Sequence, residues 1–336
     1  YGPCCHQIWG GGVAAKEGIC EWAGGIVVHI SAGWSALAAC VALGERKVKA
    51  VGGDIPEPHN ISIVVVGTAL LWFGWFGFNG GTSLVIDGSA VLSIVNSQIT
   101  AAVSMCVWSF IEWFREGQAK LVPMCIACIS GFVVVTPMAG FISSNMAVLA
   151  GIVAGTLCYA SLYVFKDLGI DDALDLWATH GVGGAVGSIL VGVLADGPKC
   201  EGSPTQLYIQ TKAVFLCIAY CFGVTYAIIK AMSLIMTMKP TDHTDDPFFD
   251  NLDYDLHGET AYRMALARPA RIVGEDCHGL LTQDVRPLSP NSKTKPKEKL
   301  SDRFSARIIA SSFCSQSTGT FGVSESSFSS GQLPSR

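Results

Sequence analysis

The sequence contains few charged residues for a chain of its length. Only 15% of its 336 residues are Asp, Glu, Lys or Arg, whereas soluble proteins contain about 25%. Half of the residues are hydrophobic, and the mean hydropathy is positive. The charges crowd into the C-terminal third, so residues 1–238 are more apolar still. This composition excludes an ordinary soluble protein and predicts an all-α polytopic membrane protein with a soluble tail.

The start of the chain lacks the features of a signal peptide. Residues 1–12, YGPCCHQIWGGG, have neither a basic start nor an apolar core. The first residue is Tyr1 rather than Met. We therefore expect a fragment, or a chain that begins after processing.

The sequence also lacks a cluster typical of a metal or redox site. Most of its thirteen cysteines lie in apolar runs, where cysteine acts as a small hydrophobic residue. Cys125 and Cys128 form a C-x-x-C inside such a run, but no second pair follows. Cys277-His278 has no partner cluster. We therefore expect no metal site, no cofactor, no nucleic-acid partner and no enzymatic activity.

Four cysteines could face an oxidising side of the membrane. They are Cys4, Cys5, Cys20 and Cys200. A disulfide among them is compatible with the sequence, but the sequence cannot pair them.

Apolar runs predict seven helical spans. The spans cover about residues 23–44, 60–80, 89–113, 121–137, 147–165, 174–195 and 207–238. The fourth is the shortest and has Pro123 and Pro137 near its ends. The last would be roughly 48 Å long as a helix, so it must tilt or project into water.

Basic residues are distributed unevenly among the predicted loops. The loops after the first, third and fifth spans contain Arg46, Lys47, Lys49, Arg115, Lys120 and Lys166. The opening segment and the remaining loops contain only Lys16 and Lys199. The positive-inside rule therefore predicts that the N-terminal end lies outside and that the tail after Lys239 is cytoplasmic.

Two of the predicted spans contain a histidine, and each histidine follows an acid by eight residues. His29 follows Glu21, and His180 follows Asp172. Ionisable groups inside a span are costly and usually functional. The two spans run in opposite directions, which indicates an inverted repeat. We expect the imidazoles to face each other mid-membrane, with ring nitrogens roughly 2.7–3.2 Å apart.

Several roles remain open for these residues. Each histidine could bond a neighbouring helix, or the pair could bind a metal, although further ligands are missing. Two adjoining neutral imidazoles could also share a proton and line a path for a small polar molecule. The acids could be helix caps, cation-attracting groups at the mouth, or both; they are Glu21, Asp172 and Asp175.

The second span is rich in aromatic residues. Its sequence LLWFGWFGFNGGTS contains Trp72, Phe73, Trp75, Phe76 and Phe78. They could form an interfacial belt, a pore gate or a cation–π site. We expect Trp75, together with Leu176 of the sixth span, to line the lumen around the histidines.

The composition changes after the last span. Residues 1–238 form the predicted transmembrane domain. Residues 239–262 are acidic and aromatic and predict an ordered cytoplasmic motif. Residues 263–336 are rich in Ser, Pro and Lys and predict a disordered cytoplasmic tail.

Several separated blocks resemble the ammonium transporter (Amt/Mep/Rh) family, and its Amt/Mep branch in particular. They are E-W-A-G-G-x-V-V-H at 21–29, WFGWFGFNGG at 72–81, D-x-x-x-x-H-G-V-G-G at 175–184, Trp9 in IWGGG, and DYDLHGETAY at 253–262. The resemblance implies eleven spans in a five-plus-five inverted repeat with a long last helix, assembled as a homotrimer. The seven spans here resemble the last seven, so we expect that the first four are absent and that this chain alone does not conduct.

The resemblance also implies roles for individual residues. His29 and His180 would be the paired pore histidines, and Trp75 would line the pore. Phe78 would be one of two stacked phenyl gates. Trp9 and Thr82 would help to form the external ammonium site. Two residues depart from the family pattern: Glu21 stands where aspartate is usual, and Thr82 stands where serine is common.

The implied function is ammonium transport at the cell membrane. Ammonium would be recruited at the aromatic site and would give up its proton, and ammonia would pass the histidines. The partners would be ammonium or ammonia and the lipid bilayer. The alternative is an ammonium sensor that signals through its tail, although residues 239–336 contain no recognisable kinase or cyclase domain.

Overall fold

A computed structural model of the chain describes residues 1–45, 58–238 and 258–259. Arg46, Lys47 and Lys49, which contribute to the predicted orientation, lie outside the described residues. The predicted motif at 239–262, apart from Gly258 and Glu259, and the predicted tail at 263–336 also lie outside them.

The described residues are almost entirely helical. Two short helices, α1 (Gly2–Ile8) and α2 (Val13–Lys16), precede the spans. The spans are a π-helical segment (Gly25–Ile30) continued by α3 (Ser31–Leu43), then α4 (Ile61–Gly81), α5 (Gly88–Glu116), α6 (Leu121–Val135), α7 (Ser144–Asp167), a second π-helical segment (Trp177–Val182) continued by α8 (Gly183–Leu194), and α9 (Pro204–Ser233). Six of these seven elements are long and apolar enough to cross a membrane.

All seven predicted segments are helical, with shifted ends, and six of them have the length of a membrane span. The fourth, α6, is the shortest at 15 residues, as the sequence predicts. The last, α9, begins at Pro204 rather than near 207, because Ser203 accepts a hydrogen bond from the Gln206 amide and Pro204 occupies the first turn. It ends at Ser233 rather than near 238. The sequence did not predict α1 or α2, which are too short for a periodic apolar signal.

Polar caps set the ends of the other long helices. Asn60 accepts from the Ile63 amide at the start of α4, and Asp87 accepts from the Ala90 amide at the start of α5. Gly117 ends α5 in the left-handed conformation, with φ of 78°. Each cap satisfies a backbone group that the helix itself leaves without a partner.

Helix α5 packs against α4, α6 and α7 through small and polar side chains. Asn96 donates to the carbonyl oxygens of Ala139 and Ile142 at 2.9 and 2.7 Å, so its buried amide is satisfied. A Cβ on Gly131 of α6 would lie 2.6 Å from the Ala101 Cα atom of α5. Close backbone approach at small residues is the usual way in which helices associate in lipid.

A disulfide and a short hairpin close one end of the bundle. Strands β1 (Asp196–Gly197) and β2 (Cys200–Glu201) pair antiparallel after α8. Cys200 is bonded to Cys20, with the Cα atoms 6.2 Å apart. Among the four cysteines that the sequence left unpaired, the structure therefore selects these two and leaves Cys4 and Cys5 as thiols.

Candidate functional site

Two π-helical turns carry the two histidines. His29 lies in the first π segment, Gly25–Ile30, and His180 lies in the second, Trp177–Val182. A π turn widens the helix by one residue and is frequently found at functional sites. Each π segment continues directly into a regular helix, α3 or α8, so both histidines sit near the start of a span.

Glu21 holds the backbone at the start of the first π segment. Its carboxylate accepts hydrogen bonds from the amides of Gly24, Gly25 and Ile26 at 3.0, 2.7 and 2.9 Å. Burial raises the pKa of the Glu21 carboxyl to about 7, while the three amide donors act in the opposite direction. Of the roles that the sequence left open, Glu21 has that of a buried cap.

Asp172 has the corresponding position before the second π segment. Its carboxylate accepts from the Trp177 amide at 2.8 Å, the first residue of that segment. Asp175 lies between them in the left-handed conformation, with φ of 52°, which Asp tolerates better than most residues. Its carbonyl oxygen accepts from the Thr179 amide at 3.0 Å. Both acids therefore shape the backbone that leads to His180.

Glycines allow the two histidine-bearing elements to touch. A Cβ on Gly33 of α3 would collide with the backbone of Gly181, and one on Gly184 would lie 2.8 Å from the His29 Cβ. The Trp34 indole also donates to the Gly181 carbonyl oxygen at 3.2 Å. The two elements therefore cross with their backbones in contact, which brings the imidazoles together.

The two imidazoles form a direct pair. The Nδ1 atoms of His29 and His180 lie 3.1 Å apart, within the range expected from the sequence. A hydrogen bond between two neutral imidazoles needs one Nδ1–H donor and one Nδ1 lone pair, so the rings take opposite tautomers. One Nε2 then offers a lone pair and the other an N–H. The Nε2 atom of His29 is buried and has no hydrogen-bond partner.

An aromatic wall faces the pair. The Trp75 ring stacks on His29 and on His180, with centroid distances of 5.5 and 6.4 Å. The Phe132 ring also stacks on the Trp75 ring, with a centroid distance of 5.3 Å. The Trp75 indole donates to the Thr136 hydroxyl at 3.0 Å, which fixes the ring in place. The sequence did not identify Phe132 in α6 or Thr136 at its C-terminal end, because nothing local distinguishes them from the core residues around them.

Phe78 completes this cluster, whereas Leu176 lies at its edge. The Phe78 ring centroid is 6.1 Å from that of His29 and 5.7 Å from that of Trp75. Leu176 immediately precedes the second π segment, one turn before His180, and is partly buried. The structure therefore brings together four of the predicted pore residues, His29, His180, Trp75 and Phe78.

Trp9 and Thr82 lie away from the pair. The Trp9 indole donates to the Glu21 carbonyl oxygen at 3.3 Å, and its ring lies beside Gly24. Trp9 is 44% exposed, so part of its side chain is open to solvent. Thr82 caps the end of α4, and its hydroxyl donates to the Phe78 carbonyl oxygen at 2.9 Å. Its hydroxyl lone pairs thus remain available as acceptors.

The Ammonium Transporter Family model matches residues 1–262, across both histidine blocks. The chain belongs to this family. Its sequence is 38% identical over 271 residues to ammonium transporter Amt1 of Archaeoglobus fulgidus, with 78% of this chain and 67% of that protein covered. The structure is similar to that of Candida albicans Mep2, with 34% identity, a TM-score of 0.65, and 69% and 55% of the two chains covered. It is also similar to a structure titled "Sensor Amt Protein", at 28% identity and a TM-score of 0.67, with 71% and 62% covered.

Membership of the Ammonium Transporter Family confirms the resemblance and the helical membrane fold expected from the sequence. This chain spans between 55% and 67% of the lengths of the three proteins described above. In this family member, the crossing of the two π segments is the feature that joins residues 151 positions apart into one site.

Proposed function

We propose that this protein moves ammonium across a membrane by passing ammonia along the imidazole pair of His29 and His180. The observation that supports this best is the 3.1 Å contact between the Nδ1 atoms, together with the buried, unpartnered Nε2 of His29. A buried polar group without a partner costs about 1–3 kcal/mol. A small polar molecule beside Nε2 would remove that cost.

Ammonia fits the opposite tautomers of the pair. It has N–H donors for the Nε2 lone pair of one ring and a lone pair for the Nε2–H of the other. A bare cation would gain little here, because burying a lone charge in an apolar lumen is costly and Asp172, the carboxylate that acts electrostatically on His180, already accepts a hydrogen bond from the Trp177 amide. Ammonium can transfer a proton to water at the exposed mouth and enter as ammonia, whereas potassium has no proton to give up, so the lumen selects between two cations of similar size and charge.

Recruitment would begin at Trp9 and Thr82. The exposed part of the Trp9 indole can attract ammonium by a cation–π interaction. The hydroxyl of Thr82, whose proton is donated to Phe78, can accept a hydrogen bond from the same ion. The Phe78 ring lies 6.1 Å from that of His29, and its carbonyl oxygen accepts from Thr82, so Phe78 would act as a gate that admits the molecule after deprotonation. Leu176 would line the lumen beyond the pair.

The same proposal includes the setting of the protein. We place it in the cell membrane as a homotrimer, with the disulfide-closed end outside and the tail in the cytoplasm. The Cys20–Cys200 disulfide supports this orientation, because disulfides persist on oxidising sides of membranes. Transport leaves its substrate chemically unchanged overall, since the proton lost on one side is regained on the other, so the proposed protein is not an enzyme.

A sensor remains the alternative, because one similar structure is titled as a sensor. The transporter is preferred, since the curated relatives of comparable identity are named ammonium transporters. Measurement of transport itself separates the two, because a pure sensor would show no uptake.

The test is uptake of labelled methylammonium by cells that lack their own transporters and express the complete gene. We expect uptake with the unchanged protein and a loss of roughly tenfold or more with His180→Ala, since removal of one ring leaves the other buried without its partner. The matched control is His59→Ala, because His59 is exposed in the loop before α4. Wild-type uptake by His180→Ala, with normal expression, would contradict the proposal.

A further inference from the structure

Three buried cysteines meet behind the first π segment. Cys4 lies in α1, and Cys217 and Cys221 lie one turn apart on α9. The Sγ atom of Cys4 is 3.3 Å from that of Cys217 and 3.6 Å from that of Cys221, and the latter two are 3.7 Å apart. We call this group the thiol triad. Cys4 in α1 is at least 213 residues from the two cysteines of α9, so no spacing in the sequence predicted the triad.

The surroundings of the thiol triad are apolar. All three side chains are at most 7% exposed. They pack in one cluster with Ile8, Ile26, Val27, Ile30 and Val214. The Ile26 carbonyl oxygen lies 3.7 Å from the Cys217 Sγ atom. The triad therefore offers three sulfur ligands in one plane.

The size of the thiol triad suits a single metal ion. A point equidistant from three sulfurs at these separations lies about 2.0 Å from each, compared with about 2.3 Å for a metal–thiolate bond. An outward shift of roughly 0.3 Å for each sulfur would bring the bonds to that length. Side-chain rotation about Cα–Cβ can supply such a shift without movement of either helix.

We propose that Cys4, Cys217 and Cys221 bind one soft monovalent cation, Cu(I). Soft thiolate ligands select Cu(I), whereas a structural zinc site needs four ligands in a tetrahedron, and the triad presents three. Charge also favours a monovalent ion. When Cu(I) binds, one thiol releases its proton to solvent and bonds as the thiolate, so one positive charge replaces another; the other two sulfurs complete the shell as thiols, and the buried site stays neutral.

The test measures metal binding rather than transport, so its result does not depend on the proposed function. The complete protein is purified in detergent without oxygen, loaded with Cu(I), and dialysed against a Cu(I) chelator. We expect Cys217→Ala and Cys4→Ala each to retain one equivalent less copper per chain than the unchanged protein. The matched control is Cys158→Ala, which removes an equally buried thiol outside the triad and should retain the wild-type amount.

X-ray absorption at the copper edge identifies the ligands. We expect a first shell of sulfur alone at about 2.3 Å in the unchanged protein, and its loss in the triad variants. Size-exclusion profiles identify any variant that fails to fold, and the two single variants provide independent readings. The proposal is wrong if both folded variants retain wild-type copper, or if thiol titration of the isolated protein shows two members of the triad already joined as a disulfide.

Discussion

Glu21 is a buried carboxylate that caps the backbone at the start of the first π segment. The amide of Gly24 and the first two amides of the first π segment point at its two oxygens. Aspartate is shorter by one methylene, so the same three donors would need the loop to move toward the carboxylate. The longer side chain of this family member thus sets the distance between Glu21 and the segment that carries His29.

Glu21→Gln should change how stability depends on pH. The pKa of Glu21 in the folded protein is raised to about 7 from 4.5, so its contribution is present below pH 4.5 and is lost as pH rises through about 7. Glutamine does not titrate. Its NH2 group cannot accept a hydrogen bond from a backbone amide, and this loss is the same at every pH. We therefore expect the thermal midpoint of the unchanged protein to fall relative to that of Glu21→Gln between pH 5 and pH 8.

Thermal unfolding in detergent at the two pH values measures this difference. Glu17→Gln is the control, because Glu17 is exposed and paired with Lys212 on the surface. A midpoint difference between the unchanged protein and Glu21→Gln that is the same at both pH values would show that Glu21 does not titrate in this range.

Thr136 holds the aromatic wall by one hydrogen bond. Thr136→Val keeps the shape of the side chain but removes the acceptor for the Trp75 indole, which would then be buried without a partner. We expect a loss of about 1–3 kcal/mol in the free energy of unfolding and a marked decrease in methylammonium uptake, because Trp75 stacks on both histidines.

Thr156→Val is the matched control for this change. The Thr156 hydroxyl donates only to the Ile152 carbonyl oxygen of its own helix, α7, among the hydrogen bonds described for it. Uptake and stability should remain close to those of the unchanged protein. Equal effects of the two substitutions would show that the Trp75 hydrogen bond has no special role.

At the scale of elements, the crossing of α3 with the second π segment decides whether the site forms. Gly33 and Gly181 meet backbone to backbone. Helices in lipid gain much of their association from such close approach, because lipid tails provide no hydrophobic drive between them. The π turns then direct both imidazoles toward the same point.

Gly33→Ala should separate these elements. The new methyl group would overlap the Gly181 backbone, and overpacking of this kind costs typically 1–3 kcal/mol. We expect a lower thermal midpoint and loss of uptake, since a small shift breaks the 3.1 Å contact of the histidines. Gly223→Ala on α9 is the control, because a Cβ there meets no atom of the described residues within 4 Å. Full uptake by Gly33→Ala would mean that the crossing tolerates a wider spacing.

At the scale of the molecule, α5 separates two chemically different ends. Asp87 at its start lies 3.9 Å from Lys199, next to the Cys20–Cys200 disulfide. Its 29 residues, about 44 Å as a helix, lead to Glu116 and Lys120 at the other end. The disulfide-closed end and the Lys120 end therefore belong to opposite sides of the bilayer.

Lys16→Cys and Lys120→Cys test which side is which. Both positions are exposed, and Lys16 precedes the disulfide-bonded Cys20. With a membrane-impermeant thiol reagent on intact cells, we expect labelling of Lys16→Cys at once and of Lys120→Cys only after permeabilisation. The unchanged protein, treated in the same way, gives the background labelling of the native cysteines. Labelling in the reverse order would overturn the orientation predicted from the basic loops.

The sequence by itself determined the seven helical segments, the placement of His29 and His180 inside two of them, and the family. These features depend on the length and composition of local segments, which can be read without knowledge of packing. Orientation remains a prediction from loop charge, and the external ammonium site at Trp9 and Thr82 remains a proposal.

Only the tertiary structure decided which distant groups meet. The Nδ1 contact joins residues 151 apart, the disulfide joins residues 180 apart, and the thiol triad joins residues at least 213 apart between α1 and α9. The choice of Thr136 as the partner of Trp75 is of the same kind. Local patterns cannot specify these pairs, because each depends on where helices cross, and the crossing is set by backbone contacts such as that of Gly33 with Gly181.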